Sequence, residues 1–204
     1  MMRTVTFYCM RHGHRLKGGD ELSKLGYKQV EASAKEHLSG INFVATFSSG
    51  MHRANQSAAL ILGALGITEL YVQREEGFSF EWFWSDPNMP KVEMLNYATI
   101  GEYFDNMFPL AFATRGRVMQ TLLHLASSIV AWSGADREGP LNVLVVSHSP
   151  TIDTAVPEPK GFPRLKEADI CVYNVSVDDQ GHSTIESARY LSAPKVEEND
   201  TAKV

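Results

Sequence analysis

The chain has 204 residues, a net charge of −5, 44% hydrophobic and 21% charged residues, which is ordinary globular composition with length for one good core. That acidity excludes a duplex nucleic-acid binder, which needs a basic face against the phosphates, and no apolar run approaches the ~18 residues of a membrane span. The start MMRTVTFYC is too short in its apolar part for a secretory signal, so a cytoplasmic protein with no membrane or nucleic-acid partner is expected.

In chain order, residues 4–9 (TVTFYC) are β-branched and aromatic and predict a strand, which ends in a loop rich in charge and glycine from Arg11 to Asp20. ELSKLGYKQVEASAKEHLSG predicts a helix closing at Gly40, with Leu22, Leu25, Val30 and Ala34 on its apolar face. A strand over residues 43–47 leads into SSGMHRANQSAALILGALG. There Ser48 or Ser49 is placed to cap a helix that turns Ala58, Ile61, Leu62 and Leu65 to the core. Residues 70–72 predict a short strand.

From Phe78 to about Phe112 no single period fits, and the segment reads as an insertion over one face of the sheet. Its aromatic series Phe78, Phe80, Trp82, Phe83 and Trp84 is expected to form a small second core, the alternative being contact with an apolar substrate group. Helical spacing returns over residues 113–132 through Val118, Leu122, Leu125 and Ile129. LNVLVVSH, residues 141–148, is the nearly continuous apolar run of a strand buried on both faces. Residues 170–177 and 183–191 predict two last strands around a DDQG turn. One domain over residues 1–192 is expected, followed by a polar, frayed tail over 193–204; oligomeric state is left open.

Alternating strands and helices predict an α/β fold, a three-layer α/β/α sandwich with a mostly parallel central sheet and right-handed crossovers. Sites in such sheets form outside the carboxyl ends of the strands. RHG, SSGMHR and SHS stand at those ends, bringing Arg11, His12, Arg53 and His148 toward one crevice. Two arginines and two histidines make an anion pocket with a candidate nucleophile, since the guanidinium fork matches phosphate oxygens and stays charged. His14, Arg15 and Lys17 extend the cationic patch, with no acid among residues 11–17. The arginines would repel a metal ion and neither H-x-E nor H-E-x-x-H occurs, so no metal or other cofactor is expected. Outside the cluster, His124 on the long helix reads as packing or surface, and His52 as an exposed neighbour of Arg53.

FYCMRHGHR also contains Cys9 and Arg15 as C-x5-R, the spacing of cysteine-based phosphatases, with Asp86 and Pro87 as a possible distant acid. Three features weigh against a cysteine nucleophile. Leu16 follows the arginine where a Ser or Thr is wanted, and Gly13 comes late in the loop. Cys9 falls on the strand end, where a free cysteine behaves as a small buried hydrophobe. Arg53 and His148 would also be left without a role. Cys9 and Cys171 lie far apart with no C-x-x-C, which suggests neither a disulfide framework nor a thiolate metal site.

The chain resembles the histidine phosphatase superfamily, also called the phosphoglycerate mutase-like family, from about residue 4 to 192. The resemblance is carried by RHG at 11–13, LSKLGYKQVEA at 22–32, SSGMHRANQSA at 48–58 and VLVVSHS at 143–149, in the family's order. It implies that His12 attacks phosphorus to give a phosphohistidine intermediate. Arg11 and Arg53 would hold the phosphoryl oxygens, and His148 would donate to the charge that develops in transfer. The attacking imidazole is neutral, its tautomer fixed by a bond from the other nitrogen to a backbone carbonyl and its pKa depressed by the arginines. Gly13, His14, Arg15, Ser23 and Ser149 are the expected substrate contacts, Ser149 replacing the family's glycine.

For the proton donor, QREEGFSFEWFW stands where the family has R-E-x-x-F-G-x-W-E-G; Glu75 matches best, with Glu76 and Glu81 as neighbours, and the W-E-G is not intact. The implied activity is a metal-independent phosphatase acting on a small phosphomonoester or a phosphohistidine protein. A mutase would need to grip a second acidic group, and residues 78–112 carry no basic run for that. A non-catalytic phosphate-binding module is the alternative if Glu75 is not the acid.

Overall fold

In the computed structural model the described residues are 2–79, 97–107, 109–134 and 139–196. The strands are β1 (Arg3–Arg11), β2 (Phe43–Ser48), β3 (Val72–Arg74), β4 (Leu141–Ser147), β5 (Ile170–Val177) and β6 (Ser183–Leu191). Among the described residues the helices are α1 (Lys24–His37), α2 (His52–Ala64), α3 (Ile100–Asn106) and α4 (Leu110–Ser133), with a 3-10 turn at Glu76–Phe78. The sheet order is β3-β2-β4-β1-β5-β6. β1, β2, β3 and β4 pair in parallel, while β5 is antiparallel to both β1 and β6.

The period of two in the strands decides the layers. Val5, Phe7 and Cys9 of β1 join Val143, Val145 and Tyr173 under Tyr103 of α3 and Val118, Leu122 and Ile129 of α4. Met10 turns the other way, joining Leu144, Val146 and Val172 against Val30 and Ala34 of α1 and Ala58 and Ile61 of α2. Two cores on opposite faces of one mostly parallel sheet make the expected three-layer α/β/α sandwich.

Several boundaries differ from the sequence expectation. Leu22 is buried but precedes α1, and Leu25 is only half-buried. Gly26 takes the inner position instead, because a Cβ there would stand 2.1 Å from the His14 carbonyl oxygen. β3 lies at 72–74 rather than 70–72, and α4 starts at Leu110 rather than 113. The aperiodic segment contains α3, whose 7 residues are too few to register a helical period. Neither Ser48 nor Ser49 caps α2: the cap position is Met51, without a side-chain bond. The Asp20 carboxylate instead accepts the His52 N–H (2.9 Å) from the loop after β1. Phe80, Glu81, Trp82, Phe83, Trp84, Asp86 and Pro87 lie outside the described residues, as does the tail from 197 onward. Phe78 is fully buried in the core under α4.

Candidate active site

The carboxyl ends of the parallel strands deliver the site. At the end of β1 the ladder continues one residue past the strand, the His12 N–H donating to the Ser147 carbonyl (3.0 Å). The next residue must be glycine, since a Cβ on Gly13 would sit 2.5 Å from the Gly26 carbonyl oxygen. The RHG loop is thereby pressed onto α1, and the His12 ring is held at the sheet edge with only 6% of the residue exposed.

Its Nδ1–H donates to the Gly13 carbonyl (2.7 Å), and the Arg53 Nε–H donates to Nε2 (3.0 Å). An arginine can only donate, so the proton is on Nδ1 and the lone pair is on Nε2, where it accepts from Arg53. Burial, more than the neighbouring Arg53, lowers the His12 pKa to about 3, with the Gly13 carbonyl opposing. The largest cause is therefore desolvation rather than the arginines alone.

Arg53, in the first turn of α2, links the site's parts. Its Nη1 pairs with the Asp20 carboxylate, and its Nη2 donates to His148 Nδ1 (3.3 Å). His148 follows β4, is 4% exposed, and stacks edge-on to His12 with ring centroids 4.9 Å apart. Its Nε2 lies 2.8 Å from the Ser49 hydroxyl, just past β2. Burial first, then His12, Arg53 and Arg11, push its pKa well below the usual histidine range. Arg11 donates through Nη1 to the Leu165 carbonyl (2.8 Å) and lies 3.5 Å from Glu167.

Glu75 follows β3, its N–H bonded to the Ser48 carbonyl (2.8 Å) and its carboxylate accepting the Gly77 N–H (2.9 Å). This holds it, half-buried, at the same sheet edge as Ser49. Glu76 is exposed and pairs with Arg74 (2.6 Å). At the rim, exposed His14 meets the Ser23 hydroxyl through Nδ1 (2.8 Å), and Ser23 caps α1 by accepting from the Gly26 N–H (3.1 Å). Arg15 adds positive potential at both His12 and Arg53. Ser149 donates its hydroxyl to the buried Asp153 (2.6 Å), which engages it in the interior. Exposed His52 lies 4.0 Å from Glu21, apart from the pocket nitrogens.

Cys9 does not fit a nucleophile. It is fully buried opposite Cys171 in the β1–β5 register, and burial raises its pKa well above the thiol range. Its thiolate is therefore disfavoured where the neutral imidazole of His12 is favoured. Among the described residues no three His, Cys, Asp or Glu side chains converge as a metal site.

Sequence reasoning missed Asp20, Glu167, Ser49 and Asp153 as supports of the site. Asp20 had one signal, being the first acid after Arg11. Glu167 and Ser49 reach the site through tertiary contacts that no spacing displays, whereas Asp153 meets its near neighbour Ser149.

A family model described as histidine phosphatase superfamily (branch 1) matches residues 7–185. No curated protein sequence matches the chain. Among solved structures, phosphoglycerate mutase from Bacillus anthracis str. Sterne is similar at 20% identity and a TM-score of 0.61, covering 91% of this chain and 92% of that one. A mycobacterial glucosyl-3-phosphoglycerate phosphatase is similar at 18% identity and a TM-score of 0.56, covering 91% and 98%. A protein histidine phosphatase complexed with tungstate follows at 17% identity and a TM-score of 0.51, covering 90% and 95%. At these identities the likeness is one of fold.

Proposed function

The chain belongs to the histidine phosphatase superfamily, and from that premise we propose that it is a metal-independent phosphatase acting on a small phosphomonoester or a phosphohistidine through His12. One observation supports this most: the Arg53 guanidinium spans both imidazoles, donating to His12 Nε2 (3.0 Å) and to His148 Nδ1 (3.3 Å). A phosphoryl group entering there would draw the Arg53 N–H donors onto its oxygens, which frees the His12 Nε2 lone pair toward phosphorus beside a second imidazole.

In the proposed reaction Arg11 and Arg53 hold the phosphoryl oxygens while the lone pair on His12 Nε2 forms a bond to phosphorus. The bond to the leaving oxygen breaks as Glu75 gives that oxygen its proton. Water then attacks the phosphohistidine with Glu75 as base, releasing phosphate and restoring the neutral ring. His148 faces the charge that builds on the phosphoryl oxygens. Gly13 shapes the cradle, and His14, Arg15 and Ser23 border it, while the Ser149 hydroxyl is held by Asp153.

The test is p-nitrophenyl phosphate hydrolysis in chelator, followed by trapping of the phosphoenzyme. An acid-labile, alkali-stable adduct absent from His12→Ala is expected. Turnover that survives His12→Ala would overturn the proposal. With 3-phosphoglycerate and its bisphosphate activator, transfer without hydrolysis would replace the phosphatase with a mutase.

A further inference from the structure

The residue that controls His148 lies behind it. Arg53 Nη2–H points at His148 Nδ1, so Nδ1 carries the lone pair and the ring proton is on Nε2. That Nε2–H donates to the Ser49 hydroxyl at 2.8 Å, in a position where both residues are buried. Such a tautomer suits a pocket in which Arg53 covers Nδ1. If Arg53 turns that N–H to an arriving phosphoryl oxygen, the uncovered Nδ1 lone pair would face the same oxygen and repel it.

Two protonation changes would remove the repulsion. One adds a proton to make the imidazolium, which burial and the nearby charges of Arg53 and Arg11 oppose. The other exchanges tautomers at constant charge: Nε2 releases its proton to water, water supplies one to Nδ1, and Nε2 then needs a donor in place of an acceptor. A hydroxyl is the group that can be either without moving its oxygen. A backbone carbonyl in its place could only accept, and a backbone N–H could only donate.

We propose that Ser49 is the positioning residue that reverses its hydrogen bond to His148, accepting from Nε2–H while Arg53 donates to Nδ1 and donating to Nε2 once Arg53 has turned to a phosphoryl group. His148 can then present Nδ1–H to the phosphoryl group while remaining neutral. The Ser49 backbone fixes the geometry, its N–H donating to the Val146 carbonyl (3.1 Å) so that the hydroxyl oxygen holds station while its hydrogen rotates. This inference rests on the phosphoryl-transfer reading above.

The experiment is nitrogen-15 NMR of the histidine rings, in wild-type protein alone and saturated with orthovanadate, with kinetics of Ser49→Ala on p-nitrophenyl phosphate. His148 is expected to carry its proton on Nε2 in the free protein and on Nδ1 with vanadate. Ser49→Ala should lose kcat by about ten- to a hundredfold with KM changed less than about threefold, below the loss from deleting an oxyanion donor outright. Vanadate-loaded wild type that keeps the Nε2 proton, or Ser49→Ala with wild-type kcat, would overturn the proposal. If Ser49→Ala does not fold, the wild-type spectra decide alone. Hydrolysis without the exchange removes Ser49's role only; the exchange without hydrolysis removes the phosphatase assignment and keeps that role.

Discussion

A histidine serves as nucleophile only if its lone pair is both exposed to the substrate and unprotonated. At His12 the Gly13 carbonyl places the lone pair on Nε2, where Arg53 covers it until the guanidinium turns to an anion, and burial keeps it unprotonated. Cys9, three residues earlier, meets neither, because the strand turns it into the core and burial holds the thiol protonated. His12→Ala is therefore expected to abolish turnover of p-nitrophenyl phosphate, while Cys9→Ser retains most of it; inactivity of a folded Cys9→Ser protein would reverse the assignment. At this scale the sequence was informative. RHG and C-x5-R competed within FYCMRHGHR, and residues from distant strand ends favoured His12. It gave no sign that Cys9 faces Cys171, since that pairing depends on the antiparallel register of β1 and β5.

Elements meet at the site through close backbone approach and one acid. Gly26 packs against the His14 backbone so tightly that Gly26→Ala would place a methyl 2.1 Å from a carbonyl oxygen. Overpacking of this kind costs about 1–3 kcal/mol, and it should displace the RHG loop as well, so a lowered urea midpoint together with lost activity is expected. A Gly26→Ala protein with unchanged stability and turnover would show that the contact relaxes freely. Asp20 joins the loop after β1 to α2 by accepting the His52 N–H and pairing with Arg53. Its removal in Asp20→Ala should cost about 1 kcal/mol as a lost helix cap. The same variant should lower kcat/KM, because the Arg53 fork loses its anchor. Helix periodicity could locate α1, α2 and α4 but not this cap, which comes from another element and takes the role that the sequence assigned to Ser48 or Ser49.

For the molecule as a whole, the site is a stability liability in acid. The His12 pKa of about 3 lies below the ordinary histidine value of 6.5, so between these pH values the unfolded chain binds the proton that the folded chain refuses. Stability is then full above 6.5 and falls as pH drops toward 3, with buried His148 adding in the same direction. Urea midpoints measured from pH 7 to pH 4 should decline, and His12→Ala should flatten the decline; a slope unchanged in that variant would assign it elsewhere. Anion binding acts oppositely: phosphate at a hundred times its dissociation constant should stabilise the fold by about 2.7 kcal/mol, read as a raised midpoint. The sequence by itself determined the three-layer α/β fold and the four strand-end residues, because burial on both faces and glycine-bounded loops leave periodic marks along the chain. Tertiary structure decided the supports: Asp20 on Arg53, Glu167 beside Arg11 and Ser49 behind His148. Each is a single side chain meeting a partner from another part of the fold, and one contact across space has no period along the chain. FYCMRHGHR could name its candidate nucleophile; only the folded sheet could supply the hydroxyl behind His148.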